Sequence, residues 1–144
     1  MSVIISEQDL PQELSSEAAV ESAYSETLAC TSSDLQRGLP VLIECDKDLA
    51  PFVFVNLRNR LRQFDLRCLY LDGRPMNDQQ AALNAGLLGT MIAQLRDAVR
   101  GAVEQRVVVL PHLDLLTTSQ GGLTAEAREV IPLLYENPEL VWLG

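Results

Sequence analysis

The apolar positions of the chain change rhythm near residue 38. Beyond it, continuous apolar runs alternate with stretches in which apolar residues recur every three or four positions. Residues 39–45 read "LPVLIEC", a run without polar alternation that suits a strand covered on both faces of a parallel sheet. In residues 52–64, "FVFVNLRNRLRQF", Phe54, Leu57, Leu61 and Phe64 share one helical face, with Arg58 and Arg62 four apart on another. "LRCLYLDGRP" is a second strand, closed by Asp72, Gly73 and Pro75 as turn formers. Residues 75–86 read as a loop. Over residues 87–103 the set Leu88, Met91, Ile92, Leu95, Val99, Ala102 and Val103 marks a second helix. "RVVVL" is a third strand and "TTSQGG" a polar loop; Thr124 is a candidate N-cap for a helix with Glu126 in its first turn, running to about Tyr135. "ELVWLG" is the last strand. This β-α-β-α-β-α-β order predicts an α/β domain over residues 37–144. Its parallel sheet has at least four strands and helices on both faces, because right-handed crossovers put them there.

The first 36 residues follow no such rhythm. After Val3, Ile4 and Ile5, only Leu10, Leu14, Tyr24 and Leu28 make a thin apolar stripe. Seven acids (Glu7, Asp9, Glu13, Glu17, Glu21, Glu26, Asp34) and no Lys or Arg precede Arg37, whereas 11 basic residues face 13 acidic ones from there on. The formal charge of −9 therefore belongs mainly to this segment, which reads as an acidic N-terminal arm or short helix. A solvated arm is preferred to a docking element for a basic partner.

Composition narrows the function classes. With 144 residues, 47% of them hydrophobic, the chain can enclose one core. Its nearly neutral folded part and 5% aromatic content give no electrostatic or stacking case for nucleic acid. No apolar run approaches the roughly 20 residues that span a bilayer, so no membrane partner and a cytoplasmic location are expected. Cys30, Cys45 and Cys68 are too few and scattered for a disulfide framework or a zinc knuckle, and read as reduced packing residues.

Two segments carry chemistry by position. "GTMIAQLRDAVRGAVEQRVVVLPHLDLL" resembles the second helix and Walker B strand of an AAA+ ATPase, a member of the P-loop NTPase superfamily. "GLTAEAREVIPLLYENPELVWLG" is similar to the helix and strand that follow in that family. The resemblance covers residues 37–144. It implies a strand order of fifth, first, fourth, third, second, with a lid beyond. Because the sequence reaches only the fourth of these strands, the domain is read as incomplete, lacking the fifth strand and lid, and "VLIEC" is left at an open edge. A fragment of a longer protein is the preferred explanation; an oligomeric partner or the N-terminal "SVIIS" covering that edge is the other.

The same resemblance implies a site that is degenerate. Pro111 and His112 stand where the family has the Asp and Glu that hold magnesium and polarise water, and Asp114 matches a further acid. Proline offers no ligand, and a neutral imidazole suits magnesium poorly. After the first strand comes "CDKDLAPF", so the phosphate-loop position is Cys45, Asp46, Lys47 and Asp48, without glycine, and Pro51 and Phe52 fall where Lys and Thr belong. Like charges ~4 Å apart repel by ~1 kcal/mol in water and several-fold more near protein, so Asp46 and Asp48 oppose a polyphosphate.

Other patterns are read more plainly. His112 and Asp114, spaced H-x-D, suggest two metal ligands or a base with its orienting acid, but the only histidine lacks the companions of a zinc site; a structural or solvent-facing role is preferred and no metal is assigned. Glu44, Asp46 and Asp48 resemble the acidic pocket of a receiver domain, with a solvated acidic turn preferred. Arg58, Arg60 and Arg62 suggest a face for a neighbouring subunit, with simple solvation preferred. Gly86 and Gly89 in "GLLGTM" mark a flexible helix start. The resulting expectation is an AAA+-like module that does not hydrolyse ATP, binds no cofactor, and serves a regulatory, structural or oligomerising role. Its partners would be other proteins, its own subunits or a downstream ATPase module. The alternatives are an active ATPase with divergent motifs, using ATP and magnesium through Asp114, and a small receiver-like or scaffold domain whose acidic arm binds proteins.

Overall fold

The computed structural model describes residues 2–74, 86–101 and 106–144; most of the loop expected at 75–86 and the end of the helix expected to reach Val103 lie outside the described residues. Among these, five short strands carry the fold: β1 (Ser2–Ile5), β2 (Leu42–Cys45), β3 (Arg67–Tyr70), β4 (Arg106–Val109) and β5 (Val141–Leu143). The described α-helices are α1 (Ser16–Gln36), α2 (Ala50–Arg62), α3 (Gly86–Arg100) and α4 (Ala127–Tyr135). No described helix is long and apolar enough to cross a membrane.

Every strand pair is parallel. β1 lies on β2, with Ser2 opposite Leu42 and Ile5 opposite Cys45, while β4 lies between β3 and β5. The α/β class and the parallel pairing agree with the sequence. The single sheet of at least four strands does not: the described strands form one sheet of two and one of three. The two meet at a seam where Val41 is bridged to Leu143. There the N–H groups of Val41, Ile43 and Gly144 donate to the carbonyls of Trp142, Gly144 and Val41 at 3.1, 2.8 and 3.0 Å. Read across the seam, the order is β1-β2-β5-β4-β3.

That order accounts for helices on both faces. From β1 through β2 to β3 the chain advances across the strands, and from β3 through β4 to β5 it returns. Right-handed crossovers put helices on one face during the advance and on the opposite face during the return. Accordingly Val20 and Leu28 of α1 and Leu57 and Leu61 of α2 pack with Ile5, Val41, Val107 and Leu143. Met91 and Leu95 of α3 and Val130 of α4 pack with Leu71, Val108 and Leu110 in a second cluster.

Two expectations change here. The run 39–45 suits a strand covered on both faces, yet β1 and β2 are covered on one: Ile5 is 1% exposed, while Ile4 and Leu42 on the other face are 69% and 45% exposed. The edge of β2 left open by the sequence reading is occupied by the chain's own "SVII", the less favoured of the two explanations.

The segment 1–36 holds β1 and a helix of 21 residues. Ser15 caps α1 by accepting from the Ala18 N–H. The helix stops where Gly38 takes a φ of 83°, letting the Gly38 and Leu39 N–H groups donate to the Leu35 and Asp34 carbonyls. Tyr24 breaks the helical dihedrals midway, and its hydroxyl accepts from the Ser6 N–H at 3.1 Å, tying α1 to the end of β1. Arg60 of α2 pairs with Glu21 of α1. Val20, Leu28 and Leu35 share one cluster with Val41 and Leu57.

This packing makes a measurable difference between an arm and a core element. Leu28→Ala is expected to cost about 2–5 kcal/mol in urea denaturation, the range for a buried leucine cut to alanine. A cost near zero would mean that α1 is a solvated appendage.

Candidate functional site

Of the residues singled out by sequence, Cys45, Lys47, Pro111 and Asp114 line one cleft at the carboxyl ends of β2 and β4, while Asp46, Asp48 and His112 do not line it. The cleft has a volume of about 670 Å3, and its walls include Phe54 of α2, Tyr70 of β3, and Pro111, Leu113 and Gly144. It lies where α2 leaves for one face and the chain after β4 leaves for the other, the crevice in which open α/β sheets bind ligands. The Phe54 and Tyr70 rings meet at 4.6 Å between centroids.

The turn after β2 is built tightly. Cys45 ends the strand, and Asp46 leads at once into a 3-10 turn, Lys47–Leu49, that runs on into α2. Pro51 sits in the first turn of that helix, where a missing N–H costs nothing, and Phe52 packs on the core. Two backbone donors of the turn are already used: the Asp46 N–H donates to the Ile5 carbonyl at 3.2 Å and the Leu49 N–H to the Asp46 carbonyl at 2.9 Å.

Asp46 has an unexpected partner. Its carboxylate accepts from the Glu7 N–H at 2.6 Å and from the Ser6 hydroxyl at 3.4 Å, so it fastens the exit of β1 to the exit of β2. Asp48 is exposed. Lys47 reaches across the mouth of the cleft, its Nζ 3.2 Å from Asp114 Oδ2.

On the β4 side, Leu110 still belongs to the sheet, donating its N–H to Leu143 at 2.8 Å. Pro111 then ends the pairing and His112 caps the 3-10 turn Leu113–Leu116. The His112 Nδ1 is shielded from solvent without a hydrogen-bond partner, and the partner of Asp114 is Lys47. Among the described residues no group of three or more His, Cys, Asp or Glu side chains could hold a metal ion. The Gly144 backbone lies under Leu113, where a Cβ would fall 2.0 Å from Leu113 Cδ1.

No known family, curated protein or solved structure matches the chain.

Sequence reasoning grouped Arg58, Arg60 and Arg62 on one face. The structure divides them, because helical residues two apart do not face each other. Arg60 turns to Glu21, whereas Arg58 lies over the Phe54 ring, 5.6 Å from its centroid, and lines a second cleft with Arg62 and Arg67. Sequence reading passed over Ser6 and Glu7 as partners of Asp46, and over Arg67; neither has a local signal. Thr124 does cap the approach to α4, its Oγ1 accepting from the Ala127 N–H at 3.3 Å.

The cysteines differ in accessibility. Burial, and then the nearby Asp46 charge, pushes the Cys45 thiol up from its ordinary value; burial pushes Cys68 up against the opposing pull of Arg58 and Arg62. Cys30 is exposed.

Two measurements test these assignments. Asp46→Ala should speed hydrogen exchange of β2 amides by about tenfold, as loss of a charged acceptor worth about 1–2 kcal/mol implies. Lys47→Ala, which breaks only an exposed pair, should change stability by less than about 1 kcal/mol; equal effects would refute the roles given to the two residues. In the native protein at neutral pH, Cys30 should alkylate first. The fold favours neutral Cys45 and Cys68. That contribution is fully present below the ordinary thiol range and is lost as pH climbs through the raised values, so their reaction should accelerate only at higher pH or on unfolding.

Proposed function

We propose that this chain is a degenerate AAA+-like module that does not turn over ATP, and that it acts as a structural, regulatory or oligomerising part of a larger ATPase, with its own subunits or a downstream ATPase module as partners. On the side of fold, the order β1-β2-β5-β4-β3 supports this reading, with β1 standing where the family has its fifth strand.

The observation that carries the reading is the turn leaving β2. A phosphate loop works by presenting several free backbone N–H groups in a concave array, with a Lys at its end. Here the Asp46 N–H is bonded to Ile5, the Asp46 carboxylate is bonded to the Glu7 N–H, and helical structure begins at the next residue. The first residue of the turn is thus already engaged on both its N–H and its carboxylate. Two carboxylates, Asp46 and Asp48, add repulsion.

The facing side is no better equipped. Pro111 supplies no ligand, His112 is half-buried, and the Asp114 carboxylate neutralises Lys47. An active ATPase with divergent motifs would have to separate that pair. Since both partners are more than half exposed, the pair contributes at most about 1 kcal/mol and would not by itself keep a ligand out. The burden therefore falls on the closed turn.

Titration with ATP and magnesium, followed by the amide signals of residues 46–49 and 112–114, tests this directly. No saturable change at these amides is expected, nor phosphate release above background. Micromolar binding that moves the signals of Lys47 and Asp48 would defeat the proposal.

A further inference from the structure

A second cleft, of about 660 Å3, opens between the end of α2 and the start of β3 and is lined by Arg58, Arg62, Asp65, Leu66, Arg67 and Cys68. Three guanidinium groups thus meet one carboxylate in a protein whose formal charge is −9. Unlike Arg37, Arg60, Arg74 and Arg96, each paired with an acid, none of the three is in an ion pair with a described residue.

We propose that this cleft binds the phosphate group of a small molecule, either free phosphate or a phosphate monoester, through Arg58, Arg62 and Arg67. Four features support it. Arg58 and Arg62, one helical turn apart, share a face of α2. Asp65 takes a φ of 57° and turns the chain so that Arg67 returns to the same cleft. Arg58 is held in advance by its stacking on Phe54, and its Nε–H is shielded from solvent with no acceptor. A buried donor of this kind costs free energy until an acceptor arrives.

The fourth feature is a backbone donor. Leu71 gives its N–H to Val109 of β4. By the alternation of a parallel strand, Cys68 directs its N–H away from β4, to the outer edge of the sheet beside the arginines. A guanidinium fork matches carboxylate and phosphate alike, but the two oxygens of a carboxylate are filled by one fork, whereas the oxygens of a tetrahedral phosphate can meet two or three guanidinium groups at once. The cleft exceeds the size of one phosphate, which leaves room for an organic portion against Leu66.

Inorganic phosphate and phenyl phosphate, titrated at constant ionic strength with chloride as the balancing salt, provide the test. Both should produce saturable changes in the Arg58 Nε–H signal and in the amides of residues 66–68. Tighter binding of phenyl phosphate would mark a monoester site; equal binding would mark a free-phosphate site. Replacing Arg58→Gln and Arg62→Gln together should weaken binding at least about tenfold, while Arg128→Gln, an exposed arginine on α4, should leave it unchanged. As a check that needs no variant, saturating phenyl phosphate should slow alkylation of Cys68 and not of Cys30. The inference is overturned by the absence of saturable change, by equal weakening in Arg128→Gln, by unaltered Cys68 alkylation, or by binding of a phosphorylated peptide when neither small probe binds.

Discussion

A parallel strand carries hydrogen-bonding groups on both edges, and in β2 one edge faces β5 while the other faces β1. Sealing that outer edge is the constraint on which the rest depends. It requires the N-terminal segment to run beside β2, and it requires the exit of β1 to be fastened. Asp46 does the fastening by accepting from the Glu7 N–H at 2.6 Å. The same carboxylate sits at the start of the turn where a nucleotide-binding fold would receive phosphate. One side chain thus links the sealed edge to the turn that leaves β2.

The reversal of direction at β3 is the second determinant. It sends α1 and α2 to one face and α3 and α4 to the other, and it leaves a crevice where the two sets diverge. The crevice is a property of topology and persists whether or not anything fills it. At its rim stand the turn after β2, whose Asp46 and Leu49 N–H groups are engaged, and Pro111, which has no side-chain ligand. The Lys47–Asp114 pair spans the gap, but at the surface its strength is about that of thermal energy. It marks the proximity of the two turns more than it enforces it.

Much of the scaffold was legible because apolar spacing is written locally. The helix containing Phe54, Leu57 and Leu61 and the strand "RVVVL" could be read directly. Helix α1 was obscured because its inward face includes Ala19, Thr31, Ser32 and Asp34, all buried; small polar residues tucked against a neighbour leave little contrast between faces. Asp46 was legible as an acid just after the first strand, but its partner lies 39 residues away and no spacing rule reaches that far. Arg67 joins Arg58 and Arg62 only because Asp65 adopts a left-handed turn, a backbone choice that composition does not announce.

The uncovered face of β1 and β2 has a colloidal consequence. Ile4 and Leu42 present a strip of hydrocarbon to water, on the sheet whose outer member is an edge strand. At neutral pH a charge of −9 keeps copies apart. Near the isoelectric point, pH ≈ 4.5, that mutual repulsion vanishes while the greasy strip remains. Acidic solution is therefore where clumping of folded molecules would begin, along this strip.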